Sequence, residues 1–76
     1  MITLTKRQND AYEFIIGYTK ANGFGPSYEE IAAGIGLSAK SGAHRLVHNL
    51  SMRGIIIKHP GMARGYSFPK INRSAA

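Results

Sequence analysis

Apolar residues recur at helical spacing through the first two-thirds of the chain, then change to short β-branched and alternating runs. Ala11, Phe14, Ile15 and Tyr18 fall on one helical face. Thr5 and Gln8 form a capping box ahead of that face and Gly23 supplies a stop, so a first helix is predicted over 6–22. Phe24-Gly25-Pro26 breaks the chain. Ser27 and Glu30 repeat the capping-box spacing before Ile31, Ala32 and Ile35, predicting a short second helix over 28–34. Gly34, Gly36 and Ser38 interrupt it, and Ser38 is placed to cap a third helix over 39–53, ended by Gly54.

Beyond Gly54, Ile55-Ile56-Ile57-Lys58 is β-branched and Tyr66-Ser67-Phe68 alternates apolar with polar, the signature of two paired strands. Residues 59–65 between them hold a proline and two glycines, which suits a hairpin loop longer than a tight turn. The expected fold class is mainly α (α+β): three helices and a C-terminal two-stranded hairpin, in one domain over 1–69. Residues 70–76 have no buried pattern and are expected to be a tail or the start of a linker.

With 76 residues the chain is long enough for one small core and too short for a large cleft. It has no cysteine, which excludes disulfides and thiolate zinc sites and fits a cytoplasmic location. No apolar run approaches the ~18 residues of a membrane span, and no secretory signal is visible. Charge changes the picture more. The net formal charge is +6, and the only acids are Asp10, Glu13, Glu29 and Glu30. From Ile31 onward the chain carries Lys40, Arg45, Arg53, Lys58, Arg64, Lys70 and Arg73 with no acid among them. Such a field attracts polyanions, and nucleic acid is the common partner of a small basic domain.

The third helix locates that partner. At about 100° per residue, Ala43, Leu46, Val47 and Leu50 share one side, and Ser41, Arg45 and His48 lie opposite, flanked by Gly42 and His44. The first set is core. The second offers hydrogen-bonding and cationic groups among small residues, as base edges in a major groove require. Ala32, four residues before Gly36, matches the small residue and turn glycine of a helix-turn-helix, with a turn one residue longer than the tightest form because the apolar positions fall at Ala43 and Leu46. A hairpin after such a pair is a wing.

Leu4-Thr5-Lys6-Arg7-Gln8, Pro26 to Ala32, Leu37, Leu50, Arg53-Gly54-Ile55-Ile56 and Arg64-Gly65 together resemble the N-terminal DNA-binding domain of the LexA repressors, without a gap from Leu4 to Phe68. The resemblance implies a winged helix-turn-helix, a third helix in the major groove and a wing on the backbone or minor groove. That family normally adds a self-cleaving Ser/Lys peptidase and dimerisation domain, which has no counterpart in these residues. Its best-known members carry Asn and two adjacent Glu where this chain has Ser41, His44 and Arg45. Exchanging carboxylate acceptors for a bidentate donor to guanine implies an operator unlike the family's CTG-containing site.

The residues expected to touch DNA are Ser38, Lys40, Ser41, Gly42, His44, Arg45, His48, Lys58, Met62, Ala63 and Arg64, with further phosphate contacts at Arg7, Ser27, Tyr28 and Arg53. The expected partners are a palindromic duplex and a second copy on that duplex, in a bacterial or phage-encoded cytoplasmic regulator. Neither membrane nor cofactor is expected. His44, His48 and His59 lack a carboxylate or thiolate to complete a metal site. Ser38, Ser41 and Ser51 lack the His/Asp arrangement of a nucleophile. Tyr12, Phe14, Tyr18 and Phe68 follow structural periodicity and are expected in the core, not as base-stacking platforms for RNA. The second functional reading is a winged-helix adaptor that contacts protein instead of DNA.

Overall fold

The computed structural model describes residues 4–59 and 65–68. Among them, three helices precede a two-stranded antiparallel sheet: α1 Lys6–Asn22, α2 Tyr28–Ile35, α3 Lys40–Met52, β1 Ile57–Lys58 and β2 Tyr66–Ser67. This is a winged helix-turn-helix. Met62, Ala63 and Arg64, and the tail boundary at 69–70, lie outside the described residues.

Both predicted capping boxes are present. Thr5 Oγ1 accepts from the Gln8 amide at 3.1 Å while Gln8 Oε1 accepts from the Thr5 amide at 3.1 Å. Ser27 and Glu30 repeat the exchange at 3.2 and 2.8 Å. Each box satisfies two amides that a helix start would otherwise leave open.

The helices meet over a core of Ala11 and Ile15 from α1, Ile31 and Ala32 from α2, and Ala43, Val47 and Leu50 from α3, closed by Ile55 and Ile56. Tyr12, Phe14 and Phe68 pack half-buried around it. Tyr18 sits against the rings of Phe14 and Phe24, at centroid distances of 5.8 and 6.2 Å. The predicted core face of α3 is thus observed except at its rim, where Leu46 is half-buried.

Several boundaries differ from the sequence expectation by one or two residues, among them the end of α3 at Met52 and of β2 at Ser67. α2 runs one residue further, to Ile35, because Gly36 adopts a left-handed φ of 80° and returns its amide to the Ala32 carbonyl. The next amide, Leu37, also bonds to Ala32 O, at 2.8 Å, drawing Leu37 toward the core. α3 therefore starts later than expected: Ala39 is its N-cap, and Ser38 stands one residue too early to reach an orphan amide. The first strand is shorter too. Ile55 donates to Leu50 O at 3.0 Å and Gly54 to Ser51 O at 3.0 Å, a Schellman closure of α3 that commits Ile55 to the helix end before pairing begins. Ile57 pairs with Ser67 and Lys58 with Tyr66, and His59 donates to Gly65 O at 2.9 Å at the base of the loop.

Candidate nucleic-acid interface

α3 turns Ala43, Val47 and Leu50 inward and leaves Ser41, His44, Arg45 and His48 exposed. Among the described residues no acid pairs with Arg45. Gly42 has a different place from the one expected: it is half-buried, and a Cβ there would lie 3.2 Å from Leu37 Cδ1. Its missing side chain lets Leu37 close over the turn. Ser38, Ser41 and Arg45 rim a shallow depression of about 250 Å³ on this side of the helix.

The start of α3 carries no capping side chain and no acid in its first turn. Its amides and the helix dipole leave partial positive charge there, and Lys40 adds a full one. Lys40 Nζ reaches Glu29 of α2 at 3.9 Å, but both side chains are exposed, at 68% and 76%, where such a pair is worth little and exchanges readily.

On the other side of α3, Tyr28 from the first turn of α2 holds two groups. The His44 ring stands edge-on to it, with centroids 4.9 Å apart at 71°. Lys58 of β1 brings Nζ to 5.7 Å from the same ring and 5.6 Å from that of Tyr66. Tyr66 is itself tethered, donating its hydroxyl to Pro26 O at 3.1 Å. Tyr28, His44, His48, Ser51 and Lys58 surround a cleft of about 150 Å³ floored by Val47. α3 and the hairpin thus meet at one aromatic side chain.

The remaining expected phosphate contacts are placed differently from one another. Arg7 donates to Ile35 O at the end of α2 and lies 3.9 Å from Asp10, so its guanidinium is engaged within the fold. Ser27 uses its hydroxyl oxygen as the α2 cap, beside Lys58 and Lys40. Arg53 is exposed at the C-cap of α3, at the far end from Lys40. His59 bonds to Ser67 Oγ at 2.7 Å. No group of three or more His, Cys, Asp or Glu among the described residues could hold a metal ion, and no described helix is long and apolar enough to cross a membrane.

A family model described as the LexA DNA binding domain matches residues 1–65. The chain belongs to that family. Three LexA repressors illustrate the likeness: those of Koribacter versatilis (strain Ellin345), 39% identical over 64 residues, Pelagibacter ubique (strain HTCC1062), 38% over 73, and Zymomonas mobilis subsp. mobilis (strain ATCC 31821 / ZM4 / CP4), 41% over 61. These alignments take in 84%, 96% and 80% of the chain, but only 30%, 32% and 28% of the relatives. The LexA-type domain here thus corresponds to about three-tenths of those repressors.

Sequence reasoning had identified most side chains around this LexA-type surface, but not Glu29 opposite Lys40 or the Tyr66 ring beside Lys58. Neither is signalled by local spacing. Both pairings arise only when α2, α3 and the hairpin pack together.

Proposed function

We propose that this chain is a sequence-specific double-stranded DNA-binding transcription regulator, a LexA-like repressor domain with an operator of its own. What carries the reading is the exposed face of α3: cationic, free of acids among its own residues and presented by a LexA-type fold. In this reading Ser41, His44, Arg45 and His48 face base edges in the major groove, with Arg45 a bidentate donor to guanine. Lys40 and Ser38 contact phosphate at the uncapped helix start, where amides and dipole favour an anion. Lys58 and Arg64 meet the backbone from the wing, and Ser27, Tyr28 and Arg53 extend that contact. Arg7 reaches phosphate only by giving up its contacts with Ile35 O and Asp10.

Two copies on a palindrome touch through Met62 and Ala63 once the operator supplies proximity. The domain carries no catalytic step, so these residues do not process themselves. Selection of bound sites from random duplexes is the direct test. A defined palindromic consensus, and affinity falling steeply with salt, are expected. Absence of both would favour a protein-contacting adaptor.

A further inference from the structure

We infer that Tyr28 is a positioning residue for specificity: one ring sets His44 of the recognition helix and Lys58 of the hairpin against each other, coupling base selection to backbone affinity. The inference rests on the DNA-binding reading above.

Tyr28 stands just inside the capped start of α2, in the turn fixed by the Ser27–Glu30 exchange. Its ring is therefore held by a helix anchored in the core through Ile31 and Ala32. The edge-on contact directs the positive rim of one aromatic ring at the π-face of the other, the preferred geometry for such a pair. The Lys58 ammonium lies within cation–π range of Tyr28 and of Tyr66. β1 has only two residues and its strand pairing is correspondingly short, so side-chain contact with the helices contributes strongly to where Lys58 is held. Both contacts use the ring of Tyr28, and neither needs its hydroxyl.

The role makes distinct demands on two variants. Tyr28→Phe keeps the ring and should retain selectivity within about twofold, any affinity lost with its hydroxyl's phosphate contact falling equally on the selected site and on random duplex. Tyr28→Leu removes both contacts and should weaken the selected site about tenfold, with a clearly smaller loss on random duplex. The decisive measurement is a double-mutant cycle in operator binding. His44→Ala and Lys58→Ala should be non-additive by at least about threefold in the parent and in Tyr28→Phe, and additive in Tyr28→Leu. A side chain that only stabilised the fold would lower all affinities together and leave the coupling intact.

Both His44 and Lys58 variants lie outside the buried core, so the parent cycle is readable even if Tyr28→Leu fails to fold. Additivity in the parent overturns the inference. Nuclear magnetic resonance of the free protein separates this from failure of the DNA reading. The Lys58 methylene protons next to the ammonium should be shifted upfield by ring currents, and Tyr28→Leu should relax that shift while Tyr28→Phe keeps it. A parent that binds no duplex selectively but shows the ring-current pattern sinks the DNA reading. Selective binding with an additive cycle or no Tyr28-dependent shift sinks only the role of Tyr28.

Discussion

α2 and α3 are consecutive, share one core and are separated by four residues, yet they begin in opposite ways. α2 opens on a complete capping box with two acids in its first turn; α3 opens on Ala39 with neither. Under the proposed function, the difference matches a division of labour. A scaffold helix gains from closing its orphan amides internally, whereas a helix that meets phosphate gains from keeping them available. On that proposal, stability and recognition fall to neighbouring helices, and substitutions should separate them.

The largest effect should come from the scaffold. Ile31→Ala removes a fully buried side chain from α2 and should cost ~2–5 kcal/mol in denaturant unfolding. Arg45→Ala on exposed α3 should leave unfolding within about 0.5 kcal/mol. Its cost belongs to binding: ~1–3 kcal/mol on the selected site, with relaxed preference at one base pair and little change on random DNA. Equal site selection by a folded Arg45→Ala protein would remove that residue from the reading set.

The two helix starts can be compared directly. Ser27→Ala should destabilise by ~1 kcal/mol, while Ser38→Ala, whose side chain caps nothing, should stay below ~0.5 kcal/mol in the same thermal or urea measurement. Comparable losses would contradict the assignment of Ala39 as the cap. The smallest effect sharpens the contrast most. Ala39→Asp should add ~0.5–1 kcal/mol of stability by supplying the missing cap, yet weaken duplex binding, because the new carboxylate occupies the amides and repels phosphate. If stability and affinity rose together, the open start of α3 would have no part in DNA contact.

How much of this was legible in the sequence depends on how far each cause lies from its effect along the chain. The Thr5–Gln8 and Ser27–Glu30 boxes span three residues and are present as expected, as is the inward set Ala43, Leu46, Val47 and Leu50, with Leu46 half-buried at its rim. Ser38 was misplaced because the start of α3 is governed by how α2 ends: the Leu37 amide bonds back to Ala32 O and shifts the register by one residue. Ile55 and Ile56 have strand chemistry, but the Schellman closure and the core take both before the ladder begins at Ile57. At the surface, composition separated exposed from buried on α3 but could not foresee that Gly42 would face Leu37, or that His44 and Lys58 would share Tyr28. Those are consequences of packing between elements distant in the chain.

The bond from Arg7 to Ile35 O joins the first turn of α1 to the last turn of α2 across a separation of 28 residues. Helix ends ordinarily fray independently, each on its own free-energy scale. Here the two ends share a guanidinium, so losing the first turn of α1 also removes a donor from the carbonyl just before the helix-turn-helix bend. Amide hydrogen exchange near Asn9 and near Leu37 should therefore report correlated opening, and Arg7→Ala should let each end exchange at its own rate.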